Sequence, residues 1–260
     1  MYGYIIKLMQ EHAETTDDAL LFEALQHNDI KHACQAIREI RSEEVEFQHL
    51  TLRFGGDGEQ SVYQFDLSQN IQYCLDLFSL YLAIRQTQFQ LETFHPDLIS
   101  NVVVPLRLDA LDWPQGQTFF EQVVQCHGKA FAHVIPSLQL NSAQGFNPQA
   151  LLLIEKIEQS AYSVWFEVAP PCEMLGQIAA LKPAMLKLSI SLEEKENRQA
   201  LIPVIKQLRK NKIKWVASRV ASQKELNQYK LLGASYYFGY FSDIPTALSF
   251  KTFESDSEVW

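Results

Sequence analysis

Basic charge, cysteine and long apolar runs are all in short supply in this sequence. Lys and Arg number 22 against 31 Asp and Glu, a net charge of −9. A general affinity for nucleic-acid backbones or anionic lipid is therefore not expected, because both need cationic surface. The four cysteines, Cys34, Cys74, Cys126 and Cys172, stand far apart with no pair at zinc-ligand spacing. They read as reduced, mostly buried thiols. The best apolar run, 75–84, contains Asp76 and falls well short of the roughly 20 residues that cross a bilayer. The first residues carry no basic leader and meet Glu11 and Glu14 early, so a cytoplasmic chain is expected.

Several catalytic signatures are missing as well. There is no Gly-x-Ser-x-Gly elbow and no His-x-x-x-His pair. The glycine-rich stretch Phe54-Gly55-Gly56-Asp57-Gly58 lacks the Lys-Ser/Thr of a phosphate loop and reads as a turn after a strand. His27, His32 and Cys34 are too few and too scattered for a metal site.

What the sequence does have is a globular composition, 47% hydrophobic and 20% charged over 260 residues, and a regular rhythm. Short apolar segments rich in β-branched or aromatic residues occur at 34–40, 49–54, 102–108, 131–135, 162–168, 186–190, 213–218 and 235–238. Helical periodicity lies between them. It is carried by Leu20, Leu21 and Leu25, by Ile71, Leu75, Phe78 and Leu82, and by Phe119, Phe120, Val123 and Val124. It continues over 151–157, 174–181, 201–208 and 226–232. Asn147-Pro148 opens one helix. Ser222 with Glu225 three residues on reads as a capping box, and Gly233 closes the helix that follows.

Eight strands with intervening helices predict an α/β fold, a (β/α)8 TIM-like barrel. The first two strands have no room for a helix between them. They should pair as a hairpin, leaving one strand antiparallel to the rest. An open doubly wound sheet is the alternative. The organisation expected is a helical extension over 1–30, a barrel over 31–253 and an acidic tail over 254–260. The extension could cover the bottom of the barrel or serve as a partner-binding arm.

The second half resembles an EAL domain, the barrel that in active members hydrolyses cyclic di-GMP. Glu158 to Trp165 resembles the strand leading into that family's Asp-Asp-Phe-Gly. Lys182-Pro183-Ala184-Met185-Leu186-Lys187-Leu188-Ser189 is similar to its Leu-x-x-Asp-x-Leu-Lys-Ile-Asp, at the right distance. Trp215 to Ser222 stands where the family has Val-Val-Ala-Glu-Gly-Val-Glu-Thr. Leu232 to Pro245 looks like Leu-Gly-x-x-x-x-Gln-Gly-Tyr-x-x-x-x-Pro. Upstream, Gln35-Ala36-Ile37 resembles Gln-Pro-Ile, so His49-Leu50-Thr51-Leu52-Arg53 falls on the Glu-Ala-Leu-Leu-Arg strand. The literal Glu23-Ala24-Leu25 sits in a helical pattern and is a decoy.

Active members hold two divalent cations on carboxylates and one asparagine, and those ions activate water and neutralise phosphate. By the resemblance, the naming glutamate becomes His49 here and the diacid pair becomes Phe166 and Glu167. The Lys-Ile-Asp aspartate becomes Ser189, and two further glutamates become Ser218 and Ala221. The asparagine strand falls near Val104-Pro105-Leu106, and one remaining glutamate has no placed counterpart. Lys187 and Glu167 survive and are read as a salt bridge inside the barrel mouth. No catalytic residue, metal site or Mg/Mn cofactor is therefore expected. The resemblance implies a bacterial signalling protein that regulates by binding a partner protein. A second reading is a cyclic di-GMP receptor that does not cut its ligand, using Gln35, Arg53, Glu167, Lys187, Tyr240 and Pro245. A third is an active phosphodiesterase with a rearranged site at His49 and Glu167. A homodimer is an expectation carried from the family. In the aromatic run Tyr236-Tyr237-Phe238 and Tyr240-Phe241, strand alternation should send about half of the rings into the core.

Overall fold

The alternation of short strands and amphipathic helices closes into a barrel in the computed structural model, which describes residues 1–55, 60–140, 146–192 and 194–248. Gly56, Asp57 and Gly58 of the glycine-rich turn, and the acidic end 254–258, lie outside the described residues. The chain begins with α1 (Tyr2–His12), α2 (Thr16–Gln26), β1 (Ile30–Glu39), β2 (Val45–Phe54), β3 (Gln60–Ser61) and α3 (Gln69–Thr93). It continues with β4 (Val102–Arg107), α4 (Leu108–Asp112), α5 (Pro114–Phe131), β5 (Val134–Gln139), α6 (Pro148–Ser160) and β6 (Trp165–Val168). The last elements are α7 (Leu175–Ala180), β7 (Met185–Ser189), α8 (Lys195–Asn211), β8 (Lys214–Ser218), α9 (Gln223–Leu232), β9 (Tyr236–Tyr237) and β10 (Thr246–Ala247).

From β2 the order β2-β4-β5-β6-β7-β8-β9 is parallel throughout, and β1 pairs antiparallel with both β2 and β9. The barrel is thus closed with one reversed strand. The hairpin of β1 and β2 runs in register from Ile30 opposite Phe54 to Ile37 opposite Phe47. Two strands are extras at the rim. β3 pairs with the end of β2, and β10 pairs with β1 above β9.

Strand alternation sorts the side chains. Ile37, Phe47, Val103, Ile135, Trp165, Met185, Val216 and Phe238 form a buried cluster of their own inside the barrel. Phe47 meets Trp165 edge to face at 5.0 Å. Burying one such side chain stabilises the fold by roughly 1.5–3 kcal/mol. The other strand face packs on the helices in the larger core, which includes Leu50, Val104, Leu138, Phe166, Leu186 and Ala217. Phe131 ends α5 and does not open a strand. The strand expected at 131–135 lies at 134–139 and runs through Pro136. A proline inside an apolar run reads as a strand end because it removes a ladder donor.

Local chemistry fixes the helix ends. Asn147 accepts from the Ala150 N–H at 2.7 Å, and Gly233 ends α9 with φ +89°. Ser222 accepts from Glu225 N–H at 3.2 Å, as a capping box requires. The Glu225 carboxylate does not close the box. It is buried and accepts from Ala221 N–H at 2.9 Å and Leu192 N–H at 3.0 Å, tying α9 to the loop after β7.

Residues before β1 hold α1 and α2. α1 lies against α3 and reaches α5: Tyr2 stacks on Tyr81 at 6.0 Å, and the Tyr4 hydroxyl donates to the Gln115 carbonyl at 3.2 Å. α2 opens with a complete capping box at Thr15 and Asp18. Buried Asp18 also accepts from Glu14 N–H and from Ser68 N–H, both at 3.0 Å, so it pins the chain that enters α3. Glu23, Ala24 and Leu25 lie within α2.

All four cysteines are free thiols. Burial pushes Cys34 up to about 11 and Cys74 up to about 12. Cys74 is the one buried thiol, contrary to the expectation of mostly buried cysteines: Cys34 and Cys172 are half-buried, and Cys126 is exposed on the solvent side of the amphipathic α5. Among the described residues no helix is long and apolar enough to cross a membrane.

Candidate functional site at the barrel mouth

In a barrel of this kind chemistry is placed at the carboxyl ends of the parallel strands. Above the apolar plug, alternation turns His49 of β2, Pro105 of β4, Ser137 of β5, Glu167 of β6, Lys187 of β7 and Ser218 of β8 inward. Higher still come Arg53, Arg107, Gln139 and Ser189.

Gln139, Glu167 and Lys187 occupy matched register positions on three adjacent parallel strands. The Lys187 Nζ lies 2.8 Å from Glu167 Oε2 and 3.2 Å from His49 Nε2. Gln139 Nε2 donates to the same Glu167 oxygen at 3.0 Å. A lysine ammonium can only donate, so His49 accepts through Nε2. Lys187 is 2% exposed and His49 6%, so this network is sealed from solvent on the plug side. Burial holds His49 well below the ordinary imidazole range, and the nearby Lys187 charge and His32 push the same way. Burial would raise Glu167, but the Lys187 charge and the bonds from Lys187 and Gln139 outweigh it and hold the carboxyl below its usual range.

Arg53 and Tyr240 form a second group at the rim. Arg53 Nη2 donates to the Tyr240 hydroxyl at 3.1 Å, and Tyr240 is 63% exposed. Among the described residues Arg53 Nε is buried without a partner. Gln35 turns elsewhere: its Nε2 donates to the Asp243 carbonyl at 2.6 Å. It thereby anchors the loop between β9 and β10, with Asp243 also clamped by Arg38 at 2.8 Å. Pro245 is half-buried in that loop. Of the six residues singled out from sequence, Glu167 and Lys187 meet, Arg53 and Tyr240 meet, and Gln35 and Pro245 support the loop. Of the aromatic run, Tyr237 and Phe238 are buried, whereas Tyr240 and Phe241 face solvent.

Sequence reasoning missed three participants. Arg107 ends β4 and donates to buried Asp76 of α3 at 2.9 Å, and its guanidinium lies 5.7 Å from the Tyr63 ring centre. The signal for this cluster was present. Asp76 is the single charge in the apolar run 75–84, and a buried charge calls for a partner.

The donor set does not fit a pair of divalent ions. Such ions want several oxygen ligands, mostly carboxylates. Glu167 is the single carboxylate turned inward from these strand positions, and its oxygen is already taken by Lys187 and Gln139. Phe166, at the other diacid position, faces the helix layer and packs edge-on against Phe146. β5 offers Ile135, Ser137 and Gln139 to the interior, so whichever of them holds the position of the unplaced glutamate, it is not a carboxylate. Ser218 donates to the Leu188 carbonyl at 2.8 Å, and Ala221 is exposed. Among the described residues no group of three or more His, Cys, Asp or Glu is placed to hold a metal ion.

No protein-family model matches the chain, and no curated protein matches it in sequence. Solved structures do match its fold. One is the PaMucR phosphodiesterase in complex with c-di-GMP: TM-score 0.74, 16% identity, covering 89% of this chain and 98% of that one. Another is the Bacillus subtilis YkuI protein, with an EAL domain, in complex with c-di-GMP and calcium: TM-score 0.70, 16% identity, covering 91% of this chain and 59% of that one. The Xanthomonas citri FimX EAL domain in complex with c-di-GMP gives TM-score 0.65 and 18% identity, over 86% of this chain and 90% of that one. The fold is that of an EAL barrel.

Proposed function

We propose that this chain is an EAL-type barrel that does not hydrolyse cyclic di-GMP and acts in the bacterial cytoplasm by binding a partner protein. The observation that carries this reading is the scarcity of carboxylates where the resemblance puts metal ligands. Those positions hold His49, Phe166, Ser189, Ser218 and Ala221, and the one carboxylate left among them, Glu167, is engaged by Lys187 at 2.8 Å. A lone carboxylate so engaged is too little to hold the two divalent ions that would activate water and neutralise phosphate. Binding is left as the output of the fold. Exposed apolar groups at the mouth, Tyr240, Phe241 at 40% and Ile244 at 75%, are side chains of the sort that protein interfaces bury. The test is incubation with cyclic di-GMP and manganese or magnesium, followed by chromatography. The expected outcome is no linear dinucleotide. Turnover that depends on metal and is lost in Glu167→Gln would restore the phosphodiesterase reading.

A second reading has its own observation. Arg53, hydrogen-bonded to Tyr240 and with Nε unpartnered among the described residues, could meet an anionic ligand at the mouth. The neighbours named above were solved with c-di-GMP bound. Calorimetric titration with cyclic di-GMP in the presence of a chelator separates the two. Heat that disappears in Arg53→Ala would make the chain a receptor that needs no metal.

A further inference from the structure

The charge of this acidic chain is not evenly spread. Residues 182–230 carry twelve Lys and Arg against four Asp and Glu, while the whole chain carries 22 against 31. Much of this excess comes to one place. α8 ends, and β8 begins, at the face of the barrel opposite the mouth, and the C-terminus of α7 reaches the same face. Lys182, Lys206, Arg209, Lys210, Lys212 and Lys214 are exposed there. Lys182 and Lys212 stand in the left-handed conformation just past the ends of α7 and α8, with φ +52° and +56°, where the carbonyl ends of the helices favour a cation.

No acidic partner answers them. Among the described residues none of these six side chains enters a salt bridge. Arg209 is held by the Leu231 and Leu232 carbonyls at 3.3 and 2.8 Å, which fixes it at the edge of the patch. Lys230, in the last turn of α9, is paired with Glu43 at 3.3 Å. The patch surrounds a groove of about 720 Å³ between α7 and α8. Its floor is Gly176, Ala179, Ala180 and Pro203, and Lys206 and Lys210 stand on its wall. Such small floor residues let another main chain come close.

We propose that this groove docks an acidic segment of a partner protein, one that interleaves carboxylates with apolar side chains. The proposal rests on the partner-protein reading above and gives it a surface. The carboxylates answer Lys206, Lys210 and Lys212. The apolar groups answer Ile202 and Leu231, which flank the patch at 48% and 83% exposure. A nucleic acid fits less well. Trp215 and Tyr229, the aromatic residues of this region, are buried, so no ring is offered for base stacking. The acidic remainder of the chain also repels a long polyanion.

The experiment uses the full chain and a short fluorescent peptide alternating Glu and Leu, followed by anisotropy at low and at physiological salt. The expected result is binding that weakens with salt and falls by about tenfold or more in Lys206→Glu/Lys210→Glu/Lys212→Glu, with no binding of the matching Lys-Leu peptide. All three positions are exposed and unpaired, and circular dichroism of the triple variant confirms that it is folded. Lys206→Arg/Lys210→Arg/Lys212→Arg should bind like the parent. Equal binding by parent and charge-reversed variant, equal binding of the two peptides, or tighter binding of oligothymidylate or phosphatidylglycerol vesicles would each overturn the proposal. Hydrolysis of cyclic di-GMP is read separately, so failure here leaves the non-hydrolysing reading standing, and failure there leaves this surface standing.

Discussion

Lys187 and Glu167 face each other across adjacent parallel strands at the same register, 2.8 Å apart, with the lysine side chain 3% exposed. Burying an ion pair yields little net stability, but removing one partner leaves the other stranded. Lys187→Met is therefore expected to lower stability by about 3–5 kcal/mol in urea unfolding. Lys187→Met/Glu167→Gln should recover a large part of that loss. Independent, additive effects of the two changes would show that the charges do not depend on one another.

A second expectation concerns pH. Burial lowers His32 to about 3 and holds His49 well below its ordinary value. The unfolded chain protonates both rings below about 6.5, whereas the folded chain does not, so stability is lost as pH falls through that value. The slope is about 1 kcal/mol per pH unit for each ring. Glu167, held below its usual range, adds a further loss at still lower pH. Urea midpoints taken at about pH 7 and about pH 5 should differ in this sense, and His49→Gln should flatten the dependence. A pH-independent midpoint would mean the rings titrate normally.

Two glycines are expected to tolerate no side chain. A Cβ on Gly239 would lie 2.2 Å from the Val220 carbonyl oxygen, and one on Gly116 would lie 1.8 Å from that of Ala110. Each contact is with main chain, which cannot swing aside. Gly239→Ala and Gly116→Ala should each cost about 1–3 kcal/mol by thermal or urea unfolding. Gly128→Ala, inside α5 where nothing lies within 4 Å, serves as the control and should cost nothing or stabilise by up to about 1 kcal/mol. Gly239→Ala should also shift the fluorescence of the adjoining aromatic loop.

Asp18 offers a test of how the first helices are attached. Its carboxylate accepts from the Glu14, Thr15 and Ser68 N–H groups, each at 3.0 Å. Burial would raise its pKa, but those bonds prevail and lower it. Asp18→Ala leaves three donors unsatisfied and is expected to cost about 1–3 kcal/mol. Hydrogen exchange should quicken at Ser68 and in the first turn of α3, not merely within α2.

Much of the barrel was legible because its signals are local. All eight barrel strands were read from apolar runs, and the reversed strand followed from the short link between the first two. The slip at Phe131 came from Pro136, since a single proline outweighs neighbouring Val and Ile in a local reading. The site was legible where each of two charges fell in a motif of its own, as with Glu167 and Lys187. It was not legible where partners lie far apart in sequence. Asp76 and Arg107 are 31 residues apart, and no spacing rule joins the middle of a helix to the end of the next barrel strand. His49 and Lys187 are 138 apart, and the imidazole earns its acceptor role only once the barrel has closed. The basic face was hidden by the sum: a net charge of −9 averages away a cluster that only folding assembles.

The reversed strand β1 pairs with β2 on one side and with both β9 and β10 on the other. During synthesis its two edges therefore mature at very different times. The hairpin with β2 is available as soon as Phe54 has emerged, but the opposite edge waits for Tyr236 and Thr246, near the end of the described chain. For most of translation the nascent barrel is an open sheet with an unsatisfied row of amide and carbonyl groups, the condition that invites mispairing. Closure is a long-range, late event, and truncation shortly before Tyr236 should yield an aggregating product and not a smaller domain.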